Sequence, residues 1–234
     1  NPSVNWMFAT ASEDYLGGRA LKMPRGKVLG GTSSINGMLY VRGLASDYDS
    51  WAQRGNSGWS FDDVLPYFRK SEDFQLTVTK GDDGYHSTGG PMHIDQPRTR
   101  YPALDAIIDA AEECGYPRND DYNGVGQYGF GYYQLNQKHG RRQSSYRAFV
   151  KPVKGRQNLT VIKCAHAEQI LFDTADIRKA VGVRARIHGK SRDIFAISEV
   201  IVCAGAIQSP QLLELSGIGQ PDRLKALGID VRCE

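Results

Sequence analysis

The sequence predicts a mixed α/β fold with α+β character, and three observations lead to it. Apolar residues recur at helical spacing after Ser60 and again after Pro102. From Asn158 onward the pattern changes to short apolar runs separated by turn residues, which is typical of strands. Two glycine-rich segments, residues 24–43 and 203–219, interrupt these patterns. At 234 residues the chain is long enough for one large domain or two small ones.

Two helices are predicted from local signals. Ser60 and Asp63 form a capping arrangement, because a serine followed three residues later by an acidic residue can satisfy the first free N–H groups of a helix. Pro66 lies inside the pattern that follows, so we expect a kink or two short helices there. The second helix is predicted to start at Pro102 and to end at Gly115. Its core-facing positions are predicted to be Leu104, Ile107, Ile108 and Ala111.

The rest of the chain is assigned by composition and period. Residues 80–90 are rich in glycine and aspartate and predict a loop, and residues 140–151 predict an arginine-rich helix. Five apolar runs predict a strand meander that feeds a buried strand. These runs are residues 161–162, 170–172, 181–187, 194–197 and 200–203.

Charge and cysteine usage exclude several classes of protein. The 29 basic and 26 acidic residues give a net charge of +3, which offers no electrostatic basis for nucleic-acid binding. No apolar run approaches the roughly 20 residues that span a bilayer, so no transmembrane segment is expected. The cysteines lie far apart without metal-ligand spacing and are predicted to be buried free thiols rather than disulfides or metal ligands. They are Cys114, Cys164, Cys203 and Cys233.

The first glycine-rich segment, PRGKVLGGTSSINGMLYVRG, has the composition of a ligand-binding loop. Gly30 and Gly31 can adopt positive φ and let the backbone approach a ligand closely. Three hydroxyl residues follow, and a run of N–H donors before a helix is a good seat for an anion or a phosphate. Arg25, Lys27 and Arg42 supply positive charge. The pair of glycines alone is also compatible with an ordinary tight turn, but the longer string favours a cofactor loop.

The second segment, CAGAIQSPQLLELSGIG, predicts a buried strand, a turn and a helix. The small residues after Cys203 let another group press against the backbone. Ser209 is predicted to cap the helix, Pro210 to occupy its first position, and Gly217 to end it. The core-facing residues are predicted to be Leu212, Leu213 and Leu215. In isolation this pattern is equally compatible with an ordinary strand–helix connection.

A third glycine motif is rejected. Residues 124–129 match GxGxxG by spacing. A dinucleotide-binding turn needs a strand before it and a helix after it, whereas turn residues precede this motif and strand-like residues follow it.

Together the first two segments resemble the signature stretches of the glucose–methanol–choline (GMC) family of flavin oxidoreductases. The resemblance implies part of an FAD-binding Rossmann-like domain and part of an antiparallel-sheet substrate domain. It divides the chain into a flavin-loop segment of the FAD domain (1–72), a substrate-domain segment (73–157) and a return to the FAD domain (158–234).

The family resemblance also implies which residues hold FAD. In the first segment they are Val28, Gly31, Thr32, Asn36, Gly37, Met38 and Leu39. In the last part of the chain the backbone of Ala167 would meet the adenine, and Ala204 and Gly205 belong to the second signature. Some relatives attach the flavin through a histidine beside the position of Asn36, where this chain has Ile35. The resemblance therefore implies non-covalent FAD.

The implied activity is oxidation of a small-molecule alcohol to an aldehyde, with hydride transfer to the flavin, as in members similar to choline dehydrogenase and aliphatic alcohol dehydrogenase. The family's first dinucleotide-binding unit and its catalytic histidine have no counterpart in the 234 residues. We therefore assign no catalytic residue and expect the chain alone to be inactive. The sequence favours a cytoplasmic protein or one peripheral to a membrane, and leaves the oligomeric state open.

Histidines and aromatic residues give no further site. His86 and His93 flank a glycine pair but lack a third ligand at the usual spacing, so a surface or structural role is expected and no metal is assigned. The aromatic residues are expected in the core rather than in a cage for a quaternary ammonium group. They are Trp51, Trp59, Tyr132 and Tyr133.

Two alternatives stay open. The chain could belong to another GMC chemistry, such as an oxidase that uses O₂, a hydroxynitrile lyase or a photodecarboxylase. It could also be a non-catalytic domain that binds a nucleotide or a partner protein.

Overall fold

A computed structural model describes residues 1–76 and 84–233. The chain divides into two compact units, Asn1–Arg156 and Gln157–Glu234. Helices and strands are mixed in both, as the sequence predicts. Of the predicted loop at residues 80–90, residues 84–90 are irregular backbone as expected, and residues 80–83 lie outside the described residues.

The first unit contains short strands, three α-helices and several single turns of helix. Its strands are β1 (Phe8–Ala9), β2 (Lys22–Met23), β3 (Glu72–Phe74), β4 (Met92–Ile94), β5 (Gln137–Lys138) and β6 (Arg141–Arg142). Its α-helices are α1 (Ala45–Gln53), α2 (Phe61–Ser71) and α3 (Pro102–Glu113). The strands pair two by two: β1 with β2 and β5 with β6 are antiparallel, and β3 with β4 is parallel. The β3–β4 pair carries the core, which consists of Phe74, Met92, Ile94 and Ala148.

Helix α2 starts as predicted but continues through its proline. Ser60 and Asp63 form the predicted capping box, with the Asp63 N–H donating to Ser60 Oγ and the Ser60 N–H to Asp63 Oδ2. The alternative of two short helices is wrong, because one helix runs from Phe61 to Ser71, and a kink at Pro66 stays a prediction. A proline removes one backbone hydrogen bond, and the rest of the helix retains its own.

Two other expectations in the first unit are wrong in part. Helix α3 has the predicted start and Gly115 follows it with φ 89°, but only Ile108 and Ala111 of its predicted inward face are buried. Residues 140–151 are not one helix: they contain β6, a π-helical turn (Tyr146–Val150) and the first residue of a 3₁₀ turn (Lys151–Val153). The antiparallel pairing of β5 with β6 around Gly140 replaces the start of the expected helix.

The aromatic residues expected in the core are largely exposed. Trp51 and Trp59 pack edge to face at 5.9 Å between ring centroids, yet 45% and 52% of their surfaces are accessible. Tyr133 is 44% exposed, and Tyr132 is partly buried.

The second unit is an antiparallel meander with a helix against it. Strands β7 (Ala165–Phe172), β8 (Ala180–Ile187) and β9 (Lys190–Phe195) pair in that order, and helices α4 (Gly205–Leu215) and α5 (Pro221–Ala226) follow. Buried Ser216 joins helix to sheet, because its Oγ accepts from the Ile170 N–H at 2.8 Å and donates to the Leu212 carbonyl at 2.6 Å.

Two predicted strands are absent from this unit. Residues 161–162 and 200–203 form no strand in the part of the chain that the structure describes. A strand exists only where a neighbour pairs with it, and β7–β9 pair among themselves. Apolar composition alone could not show that these two runs lack such a neighbour here.

The start of helix α4 also differs from the prediction. The helix begins at Gly205 with Ala204 at its N-cap, so Pro210 lies inside the helix and Ser209 does not cap it. Gly217 ends the helix region with φ 88°, as predicted, but Leu215 is 45% exposed rather than in the core.

The cysteines and the helix lengths complete the fold. The four cysteines form no disulfide among the described residues, and all four are exposed, which corrects the expectation of burial. Within residues 1–76 and 84–233, no helix combines the length and apolar character needed to cross a membrane.

Candidate functional site

The first glycine-rich segment folds into a loop, residues 26–39, that contains one turn of 3₁₀ helix (Gly31–Ser34). Gly30 and Gly31 have φ of 87° and 54°, in the region that favours glycine. A Cβ on Gly30 would lie 2.6 Å from Ser34 Oγ and 3.2 Å from Tyr146 Cβ, so steric contact as well as conformation requires glycine there. At Gly31 the space for a Cβ is open.

The three hydroxyl residues of this loop hold the loop itself. Thr32 Oγ1 accepts from the Gly26 N–H at 3.1 Å, and Ser33 Oγ and Ser34 Oγ donate to the carbonyls of Gly30 and Leu29. The expectation that these hydroxyls are free donors for a phosphate therefore needs correction for Ser33 and Ser34, which donate within the loop, while Thr32 only accepts. Their role in this structure is to fix the backbone that a ligand would meet.

Residues more than a hundred positions away in the sequence also bond to this loop. Arg142 Nη1 donates to the Ser33 carbonyl at 3.1 Å and to Asn36 Oδ1 at 2.8 Å. The Ser145 N–H donates to Ser33 Oγ at 2.9 Å, and Ser145 Oγ donates to the Gly30 carbonyl at 3.1 Å. The sequence predicts only an arginine-rich helix around Arg142, and no local pattern marks its contact with this loop.

The other side of the loop is open and apolar. Asn36 and Gly37 are exposed, and Val28 and Leu39 are 41% and 51% accessible. Met38 has φ 66°, which is unusual for a residue with a side chain and marks a backbone held by its surroundings.

Asn36 produces that conformation by a local bond. Its Oδ1 accepts from the Met38 N–H at 3.0 Å, while Arg142 fixes the same oxygen. The N–H groups of Gly37 and Leu39 have no acceptor among the described residues. The loop therefore has a fixed backbone in which two N–H groups lack an acceptor among the described residues. The exposed aliphatic side chains of Val28 and Leu39 belong to the same loop.

The positive charges predicted around the loop have other partners. Lys27 Nζ lies 4.8 Å from the centre of the Trp6 ring, and Arg25 Nη1 donates to the Pro24 carbonyl. Arg42 is buried and lies next to Glu72, so it does not supply charge to the loop surface.

A buried ionic network follows the loop, formed by Arg42, Glu72, His86 and Asp121. Arg42 Nη2 lies 2.7 Å from Glu72 Oε2, although its N–H groups point past the carboxylate, so the contact is an ion pair without a well-aligned hydrogen bond. His86 Nδ1 lies 3.1 Å from Glu72 Oε1, and Nε2 lies 3.0 Å from Asp121 Oδ2. Glu72 is fully buried.

The pKa directions agree with this arrangement. Burial alone would lower the pKa of His86, but hydrogen bonds to Asp121 and Glu72 raise it to about 9. Burial would raise the pKa of Asp121, yet the bonds from His86 and Gln134 hold it below its usual value. Burial, with Glu72 adding to it, raises the pKa of Tyr40 to about 12.

His93 differs from His86 in its partners. It is buried and its Nδ1 lies 2.8 Å from Asp73 Oδ2, the one carboxylate of the described residues within hydrogen-bonding distance. Sequence spacing could not show that three acidic residues surround these two histidines. Even so, no group of His, Cys, Asp and Glu able to hold a metal occurs in residues 1–76 and 84–233.

Residues 124–127 of the rejected GxGxxG motif line a cavity of about 220 Å³ beside the start of α1. Residues 124–129 are irregular backbone, with neither the preceding strand nor the following helix that a dinucleotide turn needs. The cavity is smaller than the few hundred Å³ typical of ligand pockets.

In the second unit the three predicted cofactor residues are all exposed. Ala167 pairs with Ala185 on β8, and a register shift follows between Ala167 and Gln169. Such an irregularity releases backbone groups from the strand ladder. Ala204 and Gly205 start α4, whose first N–H groups have no side-chain cap. An uncapped N-terminus of an 11-residue helix leaves donors for an anion or a carbonyl.

The chain is similar to known proteins over nearly its whole length. Oxygen-dependent choline dehydrogenase of Sinorhizobium fredii is 42% identical over 230 residues, which is 98% of this chain and 40% of that protein. The chain therefore spans about 40% of the length of such relatives.

The fold of this chain is also similar to that of solved structures. Pyridoxine 4-oxidase from Mesorbium loti superposes with a TM-score of 0.88 at 33% identity, over 98% of this chain and 44% of that one. An FAD-dependent oxidoreductase from Chaetomium thermophilum superposes with a TM-score of 0.86 at 29% identity, over 97% of this chain and 41% of that one. The sequence profile described as GMC oxidoreductase matches residues 7–230. The chain belongs to the GMC oxidoreductase family.

Proposed function

We propose that the chain is the flavin-holding part of an FAD-dependent oxidoreductase that acts on the CH–OH group of a small alcohol. The observation that carries this proposal is the loop at residues 26–39. Distant residues fix its backbone, the side chains of Val28 and Leu39 are exposed, and the N–H groups of Gly37 and Leu39 have no acceptor among the described residues. A planar ring with polar edges, such as a flavin, fits a surface of this kind.

Each predicted residue has a distinct part in this proposal. Gly37 and Leu39 would offer N–H donors to the polar edge of the ring, and Val28 and Leu39 would pack against its apolar part. Gly31, Thr32 and Asn36 would shape the loop, and Met38 would keep the backbone turned outward. In the second unit Ala167 would meet the adenine through its backbone, and Ala204 with Gly205 would present the start of α4.

The proposal includes non-covalent attachment. A covalent link to the flavin needs a nucleophilic side chain. The position beside Asn36 carries Ile35, whose aliphatic side chain has no nucleophilic atom. When bound, FAD would supply the acceptor for the hydride that leaves the alcohol carbon. The residues of this chain would hold and orient the cofactor and exclude water from one side of it, and we assign proton transfer to none of them. Cytoplasmic or membrane-peripheral localisation stays a prediction.

The relatives support an alcohol as substrate and leave its identity open. One is named a choline dehydrogenase and another a pyridoxine 4-oxidase, and both names refer to alcohol oxidation. The exposed tryptophans Trp51 and Trp59 lie together in the first unit. Nothing in their contacts favours a quaternary ammonium substrate over another alcohol.

The test uses the 234-residue chain after incubation with FAD and removal of free cofactor. We expect a flavin absorption spectrum, and release of all the flavin into the supernatant on acid precipitation. Flavin that stays with the precipitate would contradict non-covalent attachment. Absence of retained flavin would contradict the proposed role. We also expect no turnover of primary alcohols by this chain, and turnover would contradict the assignment of a purely cofactor-holding segment.

A further inference from the structure

The ring of His86 faces a carboxylate on both sides. Nδ1 lies 3.1 Å from Glu72 Oε1 and Nε2 lies 3.0 Å from Asp121 Oδ2. A neutral imidazole has one N–H, so in either tautomer one of these contacts would set a lone pair against a carboxylate oxygen. With both carboxylates ionised, the geometry therefore requires both ring nitrogens to carry hydrogen. Phe74 stacks on the ring with centroids 3.7 Å apart, which fixes its orientation.

The charge balance of the buried network also indicates that His86 is protonated. Glu72 and Asp121 bring two negative charges, and Arg42 brings one positive charge. Tyr40, the remaining titratable group that contacts these side chains among the described residues, is neutral until strongly alkaline pH. A protonated His86 makes the group electrically neutral, and a neutral His86 would leave an uncompensated buried carboxylate, which is costly.

This network holds the backbone that continues from the candidate flavin loop. The Arg42 N–H donates to Asn123 Oδ1 at 2.6 Å, and Asn123 Nδ2 donates to the Tyr40 carbonyl at 3.0 Å. Gln134 connects these contacts to Asp121, whose Oδ1 accepts from Gln134 Nε2 at 2.8 Å, and the Gln134 carbonyl accepts from the Tyr40 N–H.

The segment that these contacts fix, residues 40–42, follows Leu39 directly. On its other side, Glu72 accepts from the hydroxyl of Tyr40 at 3.1 Å. His86 is the group that joins the Glu72 side of the network to the Asp121 side.

We propose that His86, held as an imidazolium between Glu72 and Asp121, is a positioning residue that fixes residues 40–42 and with them the outer end of the candidate flavin loop. It acts through the two carboxylates and touches neither the loop nor a ligand. The part of this inference that concerns flavin affinity rests on the proposed function. The part that concerns the charge of His86 and the order of residues 40–42 does not.

The pH dependence follows from the sign of the pKa change. The pKa of His86 is raised from 6.5 to about 9. A raised pKa means that the stabilisation is fully present below pH 6.5 and is lost as the pH rises through about 9. Order in residues 40–42 is therefore expected to decrease across that interval.

The chain offers a matched control in His93. It is also buried in the first unit, but among the described residues it faces one carboxylate, that of Asp73, which a neutral imidazole can satisfy. A general effect of alkaline pH on buried histidines would act on both residues. The proposed effect is specific to His86.

The test is an NMR titration of the ¹⁵N-histidine-labelled chain between pH 6 and 11, with amide-exchange protection followed in parallel. We expect His86 to show two protonated ring nitrogens at pH 7 and to titrate near pH 9. We expect the protection factors of Tyr40 and Arg42 to fall at least tenfold through the same midpoint. The Ile170 amide, which donates to Ser216 in the second unit, should keep its protection.

Two variants sharpen this test. Asp121→Asn keeps an acceptor but removes a charge, so the His86 midpoint should fall by about one pH unit or more. His93→Gln should leave that midpoint unchanged. A single protonated nitrogen on wild-type His86 at pH 7, or unchanged protection of Tyr40 and Arg42 through the midpoint, would overturn the proposal. If protection follows the titration but FAD does not bind, the proposed function fails and the role of His86 stands.

Discussion

The two glycine-rich segments of this chain are built in different ways. The first, in the loop at residues 26–39, depends on distant residues: Arg142 bonds to Asn36 across 106 positions and Ser145 bonds to Ser33 across 112. The second, around α4, is tied to its sheet by Ser216, 46 positions from Ile170 and next to the end of the helix itself.

The difference shows what each segment can tolerate. A loop whose hydroxyl groups and several of whose carbonyls bond to specific partners keeps one backbone shape, and it is sensitive to any change in those partners. A helix packed on a sheet is stabilised by burial as well, so loss of one bond affects stability more than shape. The predictions below test this contrast, from the largest expected effect to the smallest.

Replacing Gly30 by valine is expected to have the largest effect. Gly30 has φ 87°, and a Cβ there would lie 2.6 Å from Ser34 Oγ. Strain and steric overlap should together lower the free energy of unfolding of the first unit by about 3 kcal/mol. Thermal unfolding followed by circular dichroism measures this loss.

Gly155→Ala is the matched control for that substitution. Gly155 lacks a positive φ and has open space around the Cβ position, so the variant should unfold like the wild type. Equal unfolding temperatures for Gly30→Val and Gly155→Ala would show that the loop conformation is not enforced.

Replacing Ser216 by alanine tests the second segment. Ser216 is buried, and its loss leaves the Ile170 N–H without its acceptor inside the unit. The expected destabilisation is about 1 to 3 kcal/mol, confined to the second unit. Hydrogen exchange of the Ile170 amide reports it, and the amides of residues 30–40 should be unaffected.

Ser209→Ala is the control within the same helix. The sequence predicts that Ser209 caps α4, whereas in the structure it lies inside the helix. A loss as large as that of Ser216→Ala would restore the predicted cap and contradict the observed start of α4.

Replacing Arg142 by glutamine is expected to have a smaller effect on stability and a clear one on the loop. Two hydrogen bonds to the loop are lost, at about 1 kcal/mol each or less, since Asn36 is exposed to water. We expect amide protection at Met38 to fall because Asn36 Oδ1 loses its second partner. Arg141→Gln, on the exposed neighbouring residue, should leave Met38 unchanged.

Local signals in the sequence predict local structure well in this chain. The capping box at Ser60 and Asp63, the start of α3 at Pro102 and the positive φ of Gly30 are all confirmed. Each of these features depends only on residues within a few positions, so the local sequence is enough to predict it.

Contacts over long separations could not be predicted. Arg42 meets Glu72, and His86 meets Asp121 35 positions later, because the fold brings their segments together. The same limit explains the absent strand at residues 200–203, since strand formation depends on a neighbouring strand. The position of the candidate site in the sequence is thus predictable, while the distant residues that hold it in place are not. Flavin contact by the named residues stays a prediction.

The central claim is that the outward face of the loop at residues 26–39 binds a flavin. The most direct measurement is a titration of the chain with FAD, followed by flavin fluorescence, in wild type, Leu39→Glu and Leu21→Glu. Both leucines are exposed, at 51% and 44%, so neither substitution should disturb folding, but only Leu39 belongs to the proposed flavin-binding face. The account predicts at least a tenfold loss of affinity for Leu39→Glu and wild-type affinity for Leu21→Glu. Equal affinity in all three proteins would contradict it.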